Sequence, residues 1–388
     1  MVRRRLSLGF VGGGWNSAVG ATHFTAACMD GLFKVDAGVF SRHADINRQT
    51  GERWNVPGDR VYDTVEQLLQ KEAGRLDAVV VLTPTPDHAE TVLRTLEAGF
   101  AVICEKALAA SATDARQIAE VVEKTDGFVA VTFNYTGYPM VRELRQMIAQ
   151  GHLGRITHIH AEMPQEGFVR LNANREPATP QKWRTADGAI PTIALDLGDH
   201  LYHLVRFLTG ERPLEMISVE STHGAVDGVI DNVMCLAKYT GDIDCSYWFG
   251  KSALGHRNGL RLRIYGREGA AEWRQATPED LHFTDVHGQT TVLDRGSVTV
   301  SLANQPRYTR FKAGHPAGFI EAFANLYDDI GAALTARRDG LPFTSDYVFD
   351  ATDSVDGLVA LETMTASAKM RRWTKVPAKD QDRSEPVL

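Results

Sequence analysis

Cysteine is scarce in this chain: four residues in 388, at positions 28, 104, 235 and 245. None lies in a C-x-x-C pair, so the spacing offers neither a zinc site nor a disulfide framework, and a reducing cytoplasm is the expected compartment. Long apolar runs are missing too. With no stretch of about 18 consecutive apolar residues, no transmembrane helix is expected. The start Met1-Val2-Arg3-Arg4-Arg5 is basic, but Leu6 to Gly14 is too short and too glycine-rich for a signal-peptide core. Excess positive charge is also absent. A net charge of −7 argues against a non-specific nucleic-acid binder. There are no repeats and no low-complexity tract. What is present is the make-up of a globular protein, 43% hydrophobic and 23% charged, in a chain too long for one ordinary core, so two domains are expected.

The first third alternates strands with helices. Leu6 to Val11 reads as a strand that runs straight into Gly12-Gly13-Gly14, and a helical stretch comes next, to about Met29. In that context glycines allow a tight turn and let backbone N–H groups approach a pyrophosphate at the helix N-terminus. Gly12 and Gly14 fit the dinucleotide fingerprint. The next glycine is Gly20, so the loop is about three residues longer than usual. The second strand, Phe33 to Phe40, ends at Ser41-Arg42 with no acid. An acid there takes the 2′-OH of NAD, whereas a hydroxyl and a guanidinium suit the 2′-phosphate of NADP, which is the cofactor slightly favoured. Val61 to Leu69 reads as a short strand and then a helix. Leu76 to Leu82 is the clearest buried strand; it stops at Thr83-Pro84-Thr85-Pro86-Asp87-His88. Ala101 to Glu105 is the next, closing on the pair Glu105-Lys106, and then Val129 to Phe133, closing on Asn134-Tyr135. The fold class is therefore α/β, with a doubly wound parallel sheet first. Ligands bind outside the carboxyl ends of such strands, so Thr83, Pro84, Thr85, His88, Glu105 and Asn134 are expected to line the cofactor crevice.

From Pro139 the pattern changes to several strands at short spacing joined by Gly-rich turns, which predicts a large, mostly antiparallel sheet. Two helices, Gly318 to Leu334 and Asp350 to Met370, close the chain, with packing back towards the first domain as one option for them. The expected domains are 1–134, a dinucleotide-binding domain; 135–377, an α/β domain for substrate and oligomerisation; and a loosely held tail, 378–388. A helix between Pro191 and Leu208 carries Asp196, His200 and His203 at i, i+4 and i+7, beside an apolar stripe. A His with a carboxylate one turn away can serve as a general base. The same spacing offers half a metal site, but no further ligand suggests itself and no metal is expected.

These segments together resemble the Gfo/Idh/MocA family of nicotinamide-dependent sugar and polyol oxidoreductases. The resemblance is carried by Gly20-Ala21-Thr22-His23, Asp77 to Thr83 with Pro84 and His88, and Ala98-Gly99 leading to Cys104-Glu105-Lys106. Gly151 to Gly154, Asp196 to His200, Leu262 to Trp273 around Gly266, and Asp356-Gly357 extend it. It implies a Rossmann domain followed by an α/β domain whose open sheet often forms the subunit interface, hence a homodimer or homotetramer. It also implies that Lys106 contacts nicotinamide ribose and substrate, that His200 exchanges a proton with the reacting hydroxyl, and that Asp196 is its partner. Three positions depart from the family. Ala107 replaces the usual Pro after Glu-Lys, so a retained cis bond would be a non-proline one, costing about 3 kcal/mol, and a trans bond would shift Lys106. The longer loop lets Trp15 and Asn16 cover the cofactor or line the pocket. His203 stands where an acid is common.

The resulting expectation is an NADP- or NAD-dependent dehydrogenase or reductase acting on a cyclic polyol, sugar or sugar derivative. Tyr135, Trp183, Arg184 and His203 would contact the substrate. Two alternatives use the same fold: an NAD-dependent glycoside hydrolase in which transient oxidation permits elimination, and a non-catalytic nucleotide-binding sensor.

Overall fold

The computed structural model describes residues 4–378. All but Ala378 of the expected tail therefore lies outside the described residues. The chain forms two compact units, one made of Met1–Tyr138 with Ala317–Val355, the other of Pro139–Pro316 with Asp356–Leu388.

The first unit holds a five-stranded sheet of β1 (Leu6–Gly12), β2 (Phe33–Val39), β3 (Ala78–Leu82), β4 (Val102–Cys104) and β5 (Val129–Val131) in the order β2-β1-β3-β4-β5. Every pairing is parallel. The helices are α1 (Ala18–Met29), α2 (Ala44–Arg53), α3 (Val65–Lys71), α4 (His88–Glu97) and α5 (Ala112–Thr125). All five residues of β3 are buried, because a central parallel strand is covered on both faces. The short strand expected near Val61 is only an isolated bridge to Gly38; the chain instead makes a helical turn at Gly58–Arg60 and then enters α3. Ser17, Thr64 and Ser111 cap α1, α3 and α5 with their hydroxyl oxygens, each accepting a backbone N–H of the first turn.

The second unit begins with α6 (Pro139–Ala149) and β6 (Ile156–Pro164). The helix expected to carry Asp196, His200 and His203 is built as a π-helical turn, Ala194–Gly198, running into α7 (Asp199–Thr209). The later strands are β7 (Pro213–Ser221), β8 (Asn232–Tyr239), β9 (Ile243–Gly250), β10 (Arg261–Gly266), β11 (Gly269–Arg274), β12 (Leu281–Asp285), β13 (Thr290–Leu293) and β14 (Thr374–Lys375). With β6 they form one nine-stranded sheet, β13-β12-β11-β10-β6-β9-β8-β7-β14. Only β6 and β9 pair in parallel. Strand β8 alternates buried and exposed residues, as expected of a sheet with one covered face.

Two long helices close the chain, α8 (Phe319–Arg338) and α9 (Ala351–Met370). The boundary expected after residue 134 is thus crossed again: 317–355 belong to the first unit. The cause is the apolar stripe of α8. Phe323, Tyr327, Ile330 and Leu334 recur at three- and four-residue spacing and bury against Phe10, Val80, Ile103 and Ala130 of the parallel sheet, together with Ala26 and Ala27 of α1.

Candidate active site

In the first unit, the turn after β1 places Gly12 at φ +80° and Gly13 at φ +69°, conformations that glycine alone adopts without strain. Gly20, near the start of α1, packs directly on Gly13; an added Cβ would stand 1.8 Å from its carbonyl oxygen. In the longer loop, Trp15 folds towards α2. The Trp15 backbone N–H donates to Thr50 Oγ1 at 3.1 Å, and the Arg53 guanidinium lies 3.7 Å from the centre of its ring. Asn16 stays exposed. At the end of β2, Ser41 Oγ accepts the His43 N–H, and Arg42 is exposed with no ion pair among the described residues. The acid within β2, Asp36, is taken by Ser7 Oγ at 2.6 Å and Lys34 Nζ at 2.6 Å.

Around the strand ends, three buried polar atoms have no hydrogen-bond partner among the described residues: Trp15 Nε1, Thr83 Oγ1 and Asn134 Nδ2. A buried donor left unpaired costs about 1–3 kcal/mol, so such atoms point to a ligand that satisfies them. A glycine turn against a helix N-terminus, with unpaired donors at neighbouring strand ends, fits a dinucleotide.

Glu105 and Lys106 come directly after β4. Glu105 Oε1 meets His23 Nε2 at 2.8 Å and accepts the Thr132 hydroxyl at 2.7 Å. Burial pushes this carboxyl up, but His23, Lys106 and Thr132 outweigh it and hold it below the ordinary glutamate range. Burial raises the neighbouring Cys104 thiol far above its ordinary value, leaving it inert. The Lys106–Ala107 bond is cis, the arrangement expected if Ala107 takes over the proline's place. His88 is buried in the wall. Its Nδ1 lies 2.8 Å from Ala107 O and its Nε2 2.7 Å from Thr83 O, so both ring nitrogens face main-chain carbonyls. Thr85 is buried and Pro84 exposed. Tyr135 is buried among aromatic rings, stacked 6.2 Å from Tyr138 and tilted at 60° against Phe319, 6.2 Å away.

In the second unit, Asp196 sits in the π-helical turn, not in the regular helix its spacing suggests. A π-turn bonds i to i+5, adds a residue to the turn and rotates the residues before it relative to those after it. Asp196 Oδ2 receives Lys251 Nζ at 2.6 Å and also pairs with the Arg184 guanidinium. Lys251 stands directly after β9 and is nearly buried, its ammonium 5.6 Å from the Phe168 ring centre. Arg184 stacks on Trp183, with 4.2 Å from guanidinium carbon to ring centre. His200 and His203 are both buried on α7. Burial, helped by Arg206, pulls the His203 pKa down to about 3. The sequence reading missed Lys251, although its signal equals that of Lys106: a lysine closing an apolar strand. Among the described residues, no group of three or more His, Cys, Asp or Glu side chains is placed to hold a metal ion.

Comparison with known proteins bears on the family and the fold. Residues 6–133 match the model of an oxidoreductase family with an NAD-binding Rossmann fold, and residues 141–272 match the model of the Gfo/Idh/MocA C-terminal domain. The chain belongs to the Gfo/Idh/MocA family. It is an oxidoreductase of that family, with the parallel Rossmann sheet and the mostly antiparallel second sheet described above. A Bacillus subtilis relative, the uncharacterized oxidoreductase YfiI, is 29% identical over 381 residues, 95% of this chain and 96% of its own. An inositol 2-dehydrogenase of Rhizobium meliloti is 27% identical over 295 residues, 74% of this chain and 77% of its own. The solved structure of an inositol dehydrogenase homolog from Azotobacter vinelandii, complexed with NADH and myo-inositol, superposes with a TM-score of 0.86 at 29% identity, covering 96% of this chain and 98% of that one.

Proposed function

We propose that this Gfo/Idh/MocA enzyme interconverts a secondary alcohol and a ketone on a cyclic polyol, sugar or sugar derivative, using NADP(H) or NAD(H). The observation that carries the reading is the pair Glu105-Lys106 at the end of β4, beside the glycine turn and the Trp15, Thr83 and Asn134 donors that lack partners among the described residues. Gly12, Gly13, Gly14 and the start of α1 would hold the pyrophosphate, and Thr83, Thr85 and Asn134 the neighbouring groups. The bound nicotinamide supplies the hydride acceptor or donor. Lys106 neutralises charge developing on the substrate oxygen, and His200 takes or returns the hydroxyl proton. Asp196, with Lys251 and Arg184 on its carboxylate, holds the start of α7 in place and offers Arg184 and Trp183 to substrate. NADP is slightly favoured, because Arg42 has no ion pair among the described residues and the only acid of β2, Asp36, is already held.

The polyol class rests on the relatives named as inositol dehydrogenases, and no feature of the site favours the hydrolase or the sensor. A homodimer or homotetramer would use the open face of the nine-stranded sheet, where Val219, Met234 and Leu236 are each more than half exposed. Four unbridged cysteines go with a cytoplasmic location. The test is a screen of NADP⁺ and NAD⁺ reduction against inositols, aldoses and uronates, with NADPH and NADH oxidation against ketosugars. Failure of every pair defeats the reading.

A further inference from the structure

Lys106 is flanked on both sides by groups that buried histidines hold. Glu105, before it, is fixed through its side chain: His23 is fully buried, its Nε2 2.8 Å from Glu105 Oε1 and its Nδ1 2.8 Å from the Tyr327 hydroxyl. A neutral ring protonated on Nε2 satisfies both contacts, donating to the carboxylate and accepting from the phenol. Tyr327 comes from α8 and is itself buried, so the chain Tyr327–His23–Glu105–Thr132 runs through the core of the first unit from one helix to the end of β5. Ala107, after Lys106, is fixed through its main chain. His88, at the start of α4, places its ring between Ala107 O and Thr83 O, tying the segment after β4 to the end of β3. Burial lowers the pKa of this imidazole, although the two carbonyls favour its charged form; a neutral ring donates its one N–H to one carbonyl, and only the protonated ring donates to both.

We infer that His23 and His88 are positioning residues that clamp Lys106 from its two neighbours. The inference rests on Lys106 acting on substrate as proposed above. Neither imidazole offers a ring nitrogen to a ligand, because all four nitrogens are engaged inside the unit. Their effect on the reaction therefore passes through the lysine. A lysine has four rotatable bonds in its stem, so its ammonium is aimed only as well as its backbone is held. A misplacement of about 1 Å in such a group can cost about 10²-fold in rate.

The test combines kinetics with crystallography. His23→Gln, His88→Gln and Tyr327→Phe are each made in the wild type and in Lys106→Met. Single-turnover rates are measured with enzyme in excess, and NAD(P)H affinity by fluorescence titration. The clamp predicts a loss of about 10- to 100-fold in the single-turnover rate at saturating cofactor for each histidine variant and a smaller loss for Tyr327→Phe, with cofactor Kd unchanged in His23→Gln and Tyr327→Phe. In the Lys106→Met background the same substitutions should cost nothing further, since their target is gone. Losses that simply add in that background overturn the inference. If a histidine variant does not fold, Tyr327→Phe decides, because it deletes one hydroxyl only; an unchanged single-turnover rate counts against the clamp. Crystal structures of the NADH-bound variants give a readout that needs no substrate: Lys106 should move or lose its fixed position, and an unmoved lysine overturns the proposal. A wild-type enzyme inactive on every polyol counts against the proposed function instead, and the crystallographic comparison still decides the clamp.

Discussion

Two lysines stand in matching places, Lys106 after β4 and Lys251 after β9, and they meet different surroundings. Lys106 adjoins a carboxylate that His23 and Thr132 already hold, whereas Lys251 is bound to Asp196. The first is the group proposed to act on substrate, and the second orders the turn that presents α7. Replacing Lys251 by Met should therefore raise KM or lower kcat by about tenfold while leaving NAD(P)H affinity unchanged, and Lys251→Arg should recover most of the loss. Arg42→Ala should weaken NADPH by about tenfold and NADH little, read by fluorescence titration; equal losses would contradict the phosphate assignment. His203 gives a pH prediction. Its folded pKa lies near 3, below the value of about 6.5 in the unfolded chain, so the unfolded state binds the extra proton between those limits. The folded state is favoured above pH 6.5 and loses this contribution as pH falls. Denaturant titrations should show wild type losing about 2 kcal/mol more than His203→Phe between about pH 7.5 and about pH 5.

At the scale of elements, the strands that line up behind the site were the easiest to read, because each is a short apolar run ending in a turn. That is why β1 through β5, their parallel pairing and the Glu105-Lys106 pair were legible in the sequence. The glycine loop was legible in kind but not in detail. Its left-handed residues are Gly12 and Gly13, and the close approach falls to Gly20, while Trp15 folds onto Thr50 and Arg53. Gly20→Ala should lower stability by about 1–3 kcal/mol and weaken cofactor binding by more than about tenfold, measured by thermal melting and titration. The π-turn at Ala194–Gly198 was not legible. Apolar spacing distinguishes helix from strand, but one inserted residue per turn leaves the spacing almost intact while turning Asp196 towards Lys251 and Arg184.

At the scale of the molecule, long-range partners were not legible. Tyr327 lies 304 positions from His23. A return of the C-terminal helices to the first unit was open from the sequence, but its extent, 317–355, has no local signature beyond an apolar stripe that any core would accept. The open face of the second sheet was legible only through the family resemblance: Val233 to Ala237 is apolar throughout, and it is the alternating burial in the structure that leaves Met234 and Leu236 outside. If that face joins subunits, Val219→Glu with Leu236→Glu should convert the oligomer to a smaller species in light scattering, with the thermal transition of each unit retained. The central claim is oxidoreduction of a polyol with Lys106 and His200 in the reacting roles. Its most direct test monitors nicotinamide absorbance with the polyol panel at saturating cofactor, for the wild type, Lys106→Ala and His200→Ala. The prediction is cofactor-dependent turnover by the wild type on at least one secondary alcohol, and a fall of about 10²–10⁴-fold in both variants with cofactor affinity kept. Wild-type rates in either variant, or no turnover with any member of the panel, would contradict it.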